Sequence, residues 1–134
     1  MTPDIGPQYV RDNVLTSRMR KHQSWYRANE LHLPYGTGPG PNDTTFYGNM
    51  LTRVDGEAGR NFLTQEIYEV VLDRIAQGSG VVEKYRLLHN MLSSQPICFN
   101  LFGPLVRDHD LAKNLLATIV PEKISEVTRA EIEW

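Results

Sequence analysis

The chain has 134 residues, 40% of them hydrophobic, enough for one modest core and for a single domain or one part of a larger one. Its 14 Lys and Arg against 16 Asp and Glu give a formal charge of -2, too nearly balanced for a protein that wraps a polyanion, so any nucleic-acid contact has to be local. Cys98 is the only cysteine, which excludes an intrachain disulfide and a thiolate zinc knuckle; without an apolar run near about 18 residues or a charged-then-apolar leader, the expectation is no membrane span, no secretory signal and a cytoplasmic location.

The stretch "YVRDNVLTSRMRKHQSWYRANEL" lacks Gly and Pro and sets Val10, Val14, Met19, Trp25 and Tyr26 loosely at helical spacing, predicting a helix over about 8–29. Over 8–29, Arg11, Arg18, Arg20, Lys21 and Arg27 stand against Asp12, a local excess of +4. Such a face can touch phosphates or can be the solvated side of an ordinary surface helix. The following residues, 31–50, are dense in Gly and Pro and read as a long loop that Tyr35, Phe46 and Tyr47 pin to the core. Its glycines form neither G-x-G-x-x-G nor a Walker A sequence.

Thr64 is placed to cap a second helix, "QEIYEVVLDRIAQG", in which Ile67, Val71 and Ile75 recur every four residues; Gly78 and Gly80 end it. A third helix is expected over 81–92, with Val82, Tyr85, Leu88 and Leu92 on one side. Pro96 suits the first turn of a short helix that packs Ile97, Phe99 and Phe102 inward and stops at Gly103-Pro104. Another helix follows from 108 or 109 to 120, with Leu111, Leu115 and Ile119 in register and acidic residues at its start. The tail "VTRAEIEW" alternates with period two, so 127–134 reads as an edge strand whose sheet lies outside these residues, no other convincing strand being available to pair with it, or else as a short irregular C-terminus.

Divalent-metal phosphodiester hydrolysis needs several carboxylates and a Lys, and an acidic residue, one residue, then Lys occurs nowhere in the chain. Asp108 and Asp110 are explained by helix capping. His22, His32, His89 and His109 form no H-E-x-x-H and no i, i+4 pair, which argues against zinc, and His89 reads as a surface or boundary residue. Cys98, between Ile97 and Phe99, reads as a small hydrophobe. Glu83 and Arg86 share a helix face at i, i+3, either as a solvent-side ion pair or, for Glu83, as an auxiliary to a metal site. Ser93, Ser94, Gln95 and Asn100 stand among apolar neighbours, where amides must find partners. They form either a polar clasp between two helices or, through Gln95 and Asn100, the wall of a DNA-facing cleft.

"NMLSSQPICFNLFGPL", together with "QSWYRANEL", "YGNML", "GRNFLT" and the closing "EIEW", resembles the N-terminal portion of a group of bacterial restriction endonucleases in the PD-(D/E)XK nuclease superfamily, over almost all of the chain. That resemblance implies Mg-dependent cleavage of DNA by a mixed sheet flanked by helices, with the catalytic Asp and Glu-x-Lys on strands beyond the region matched. The expected fold class is therefore mainly α, the helical entry region of a restriction-endonuclease-like α/β fold. No catalytic or metal-ligating residue is assigned to this sequence, and Mg is expected only for a complete nuclease. The DNA-binding candidates are Arg11, Arg18, Arg20, Lys21 and Arg27; the cleft candidates are Glu83, Arg86, Gln95 and Asn100. Expected partners are DNA, a C-terminal catalytic region or complementary subunit, or a second copy in a homodimer. An exposed apolar side formed by Phe99, Phe102, Ile132 and Trp134 would mark a fragment or a split enzyme, and their burial a free-standing module that binds DNA or a protein.

Overall fold

Asn13 fixes where the first helix begins. In the computed structural model, which describes residues 2–78, 80 and 82–133, its side-chain oxygen accepts the Thr16 backbone N–H, and helix α1 spans Val14–Asn29. The start falls later than the expected residue 8 because Tyr9 to Asp12 form a turn closed by the Asp12 N–H on the Tyr9 carbonyl. The apolar residues that suggested a stripe point outward, with Val10 94% and Val14 80% exposed. The buried face consists instead of Ser24, Arg27 and Ala28.

The fold is mainly α-helical with one small two-stranded sheet, and contacts divide the chain into two compact units, Met1–Asn61 with Glu83–Pro96 and Phe62–Val82 with Ile97–Trp134.

In the first unit, residues 31–50 are not a plain loop. Strands β1 (Tyr35–Thr37) and β2 (Phe46–Leu51) pair antiparallel, with Gly36 opposite Tyr47, Thr37 opposite Phe46 and a register shift before Tyr35 meets Leu51. Glycines hid these strands from a propensity reading, yet close approach demands them. A Cβ on Gly36 would run into the Leu51 carbonyl, and one on Gly48 into the Ile5 carbonyl and to 2.6 Å from the Ser24 hydroxyl. Tyr35 and Phe46 meet edge to face across the pair, ring centres 5.9 Å apart. β2 is buried from Gly48 to Leu51, and α1 packs against it.

Helix α2 (Arg53–Glu57), capped by Thr52, packs against β2 and against α4 (Lys84–His89). α4 is shorter than the expected 81–92, because Glu83 ends the approach by accepting the Arg86 N–H at 2.7 Å; Val81 lies outside the described residues. His89 is a correction to the surface assignment: it is 3% exposed, stacked on Tyr85 at 4.2 Å, with Nδ1 3.0 Å from the Tyr85 carbonyl oxygen. Gly56 leaves it room, since a Cβ there would collide with the imidazole.

The second unit holds α3 (Gln65–Gln77), most of α5 (Ser94–Arg107) and α6 (His109–Ile119). The Thr64 hydroxyl accepts the Ile67 N–H, and Gly78 closes α3 at φ 66°, both as the sequence predicts. Asp108 caps α6 in the same way on Leu111. α5 does not stop at Gly103-Pro104. Proline keeps a helical φ, and its missing N–H removes only the bond to the Asn100 carbonyl. Ile67, Val70, Val71, Phe99, Ala112 and Ile132 are buried, while Cys98 is only half-buried. Residues 126–133 carry no regular secondary structure, so the expected edge strand finds no ladder among the described residues; Trp134, its last position, lies outside them. Ile132 nonetheless anchors the segment, being 7% exposed with its carbonyl accepting Arg74 Nε at 3.0 Å.

Candidate nucleic-acid interface

The tripeptide Asn-Met-Leu occurs twice, at 49–51 and 90–92, and the first unit brings the two copies together. Met50 and Asn90 form an antiparallel bridge, the Met91 N–H donates to the Asn49 carbonyl at 3.1 Å, and Asn49 Nδ2 donates to Asn90 Oδ1 at 2.9 Å. Asn90 Oδ1 also takes the Leu92 N–H, so this amide is oriented from two sides.

Arg20 reaches the same place from α1. Its Nη1 donates to Asn49 Oδ1 at 2.6 Å, while Nε and Nη2 grip Asp12 at 2.6 and 3.2 Å. Both partners are largely enclosed, and the hydrogen bond from Arg20, aided by its charge, holds the Asp12 carboxyl below its ordinary value against the opposing effect of burial. The guanidinium lies 5.8 Å from the Tyr9 ring centre and 5.6 Å from that of Tyr47, two rings that meet edge to face. Above this Asp12–Arg20–Asn49–Asn90 chain opens a cavity of about 350 Å³, walled by Tyr9, Tyr47, Pro39 and Leu92. Its floor is polar, its walls are flat or apolar, and its one ion pair is internally balanced.

The five cations proposed for DNA divide. Arg27 is no surface contact: it is 2% exposed and donates to the carbonyls of Gly48, Leu33 and Asp4, with the Tyr35 ring 5.4 Å away. Burial lowers its pKa, opposed by Asp4 and Tyr35. Arg20 lines the cleft. Arg11, Arg18 and Lys21 are exposed and make no ion pair among the described residues. Arg18 and Lys21, three apart on α1, share a side of it.

Among the cleft candidates, Glu83, Gln95 and Asn100 each have a hydrogen-bond role of their own. Glu83 is a helix cap rather than half of a side-chain pair with the exposed Arg86. The Gln95 N–H donates to the Ser93 hydroxyl in the first unit, whereas Asn100 belongs to the second, where its Oδ1 accepts the Leu63 N–H at 2.9 Å. Sequence reasoning missed Asn49 and Asn90 as partners, and the repeated Asn-Met-Leu was the signal that could have joined them.

Several carboxylates that could face a divalent metal are already committed to other side chains. Asp12 is gripped by Arg20, Asp55 is bound to the Thr52 hydroxyl, and Glu69 and Asp73 are bridged by Arg107 at 2.6 and 3.0 Å, which raises the Arg107 pKa. Among the described residues no three His, Cys, Asp or Glu side chains come together as a metal site. The donor set does not fit a Mg²⁺ centre.

Helical units with a short sheet fit the α/β class to which restriction-type nucleases belong. The sequence pattern of the PD-(D/E)XK nuclease superfamily matches residues 10–134, and the chain belongs to that superfamily. No curated protein and no solved structure matches it. No helix among the described residues is long and apolar enough to cross a membrane.

Proposed function

We propose that this chain is a DNA-binding module of the PD-(D/E)XK superfamily that holds the polyanion through the first unit and does not itself cut it. The observation that carries the reading is the trio Arg11, Arg18 and Lys21, exposed and free of ion pairs among the described residues, in a chain of net negative charge. Cations not offset by neighbouring carboxylates release counterions when they meet phosphate, and three of them give a slope of log affinity against log salt of about -2.7 on duplex DNA. In the second unit, by contrast, Arg107 and Arg129 are paired with Glu69, Asp73 and Glu131.

The test is fluorescence anisotropy with the full chain and a labelled duplex between low and physiological salt. The variant R11A/R18A/K21A should bind far more weakly and lose most of the salt slope. An unchanged slope, or no binding by the parent chain at low salt, would overturn the proposal. A second reading, favoured by the superfamily match, makes the chain the non-catalytic part of a Mg-dependent endonuclease whose metal ligands and lysine come from a C-terminal region or a complementary subunit. On both readings supercoiled DNA with Mg²⁺ and this chain alone stays intact, and nicking abolished by a chelator would refute both.

A further inference from the structure

We infer that the cleft over Asn49 and Asn90 receives a single unstacked nucleobase of a DNA strand. The inference rests on the DNA-binding reading and concerns a different set of residues from those that contact phosphate. A cavity of about 350 Å³ is at the small end of ligand sites, roughly a dozen water volumes, which suits one base and its sugar better than a larger ligand. Charge sorts the ligand class next. Asp12 and Arg20 balance one another through two hydrogen bonds, so the floor offers no net charge to a phosphate or carboxylate. The open groups are neutral. Asn90 Oδ1 is held by Asn49 and the Leu92 N–H, which turns Nδ2 of the same amide toward solvent with no partner among the described residues.

A neutral, planar group with hydrogen-bond acceptors on its edge fits this arrangement. The rings and the guanidinium they flank supply flat π surface, on which any base can stack, and the Asn90 amide supplies a donor for a ring nitrogen or exocyclic oxygen. The amide cannot rotate freely to present its oxygen, because that oxygen is already tied twice. The site should therefore favour bases with an acceptor at the contacting edge.

The experiment follows the side-chain amide signals of Asn49 and Asn90 by ¹⁵N NMR in the full chain during titration with the four 2′-deoxynucleosides, and separately with deoxyribose. Saturable shifts at Asn90 with at least one nucleoside, and none with the sugar, are expected; no shift with any nucleoside would overturn the inference, whatever the DNA affinity. Nucleoside binding that persists while the salt-dependent duplex test fails would instead sink the DNA-binding reading and leave a nucleoside pocket. Single-stranded oligonucleotides provide the second arm. Y9L, at a residue that is 42% exposed, should weaken their binding about tenfold while Y9F does not, with the melting temperature of both variants close to that of the parent chain. Equal affinity of Y9L and the parent for a single strand would rule out stacking on this wall. An oligonucleotide that binds no more tightly than its free nucleoside would overturn the strand as the source of the base.

Discussion

Three arginines on or beside one helix do three different jobs, and burial decides which. Arg27 is wholly enclosed and satisfies three backbone carbonyls, so R27M removes every donor at once and leaves those acceptors dry. The expected loss is about 2–4 kcal/mol, read from the urea midpoint. R27K should recover only part of it, since an ammonium cannot span three divergent oxygens. Arg18, exposed and unpaired, should tolerate Ala with little change in stability. Asp12 adds a pH dependence. Its folded pKa is lowered, chiefly by the hydrogen bond from Arg20, so its contribution is complete above the ordinary aspartate value and disappears as pH falls through the lowered one. Denaturant midpoints measured down that acidic window should therefore fall more steeply for the parent chain than for D12N. Parallel curves would show that the ion pair has no share in acid sensitivity.

At the scale of elements, signals that are local in sequence were readable and those that depend on distant backbone were not. α3 and α6 could be read from their caps, Thr64 and Asp108, because a cap and an amphipathic period lie within a few residues of each other. The hairpin could not. Gly36 and Gly48 look like loop residues until the Leu51 and Ile5 carbonyls are in place beside them. α1 misled in another way: its buried face is Ser24 and Arg27, so hydrophobic spacing pointed to the wrong side. The cleft was the least legible feature, since Arg20, Asn49 and Asn90 are separated by 29 and 41 positions. Whether the hairpin glycine is structural in this sense is testable. G48A places a methyl against the Ile5 carbonyl, which is backbone and cannot swing away, and it should destabilise the first unit by about 2 kcal/mol or more, seen as lost amide protection along β2.

Taken across the whole chain, polar and apolar surfaces are distributed against expectation. The first unit buries Arg27, Asn49, Ser24 and His89, and both units leave apolar side chains in solvent, Val10 and Val14 in the first and Leu101 and Ile119 in the second. The sequence reading asked Phe99, Phe102, Ile132 and Trp134 to decide between an incomplete and a free-standing module, and they divide: Phe99 and Ile132 are buried, Phe102 is 49% exposed, and Trp134 lies outside the described residues. The clearer exposure is on α6. Leu111, Leu115 and Ile119 are in the register that the sequence predicts, but they are 45%, 45% and 69% exposed, one above another along a single side of the helix. Side chains that are this open contribute little transfer energy to the fold, so L115K and I119K should each change stability by no more than about 0.5 kcal/mol. Together they should remove much of the native-state fluorescence of a dye that binds apolar surface, while leaving the helical circular dichroism intact. If the double variant instead unfolds at a much lower denaturant concentration, the row is packed in solution and the apolar face does not exist.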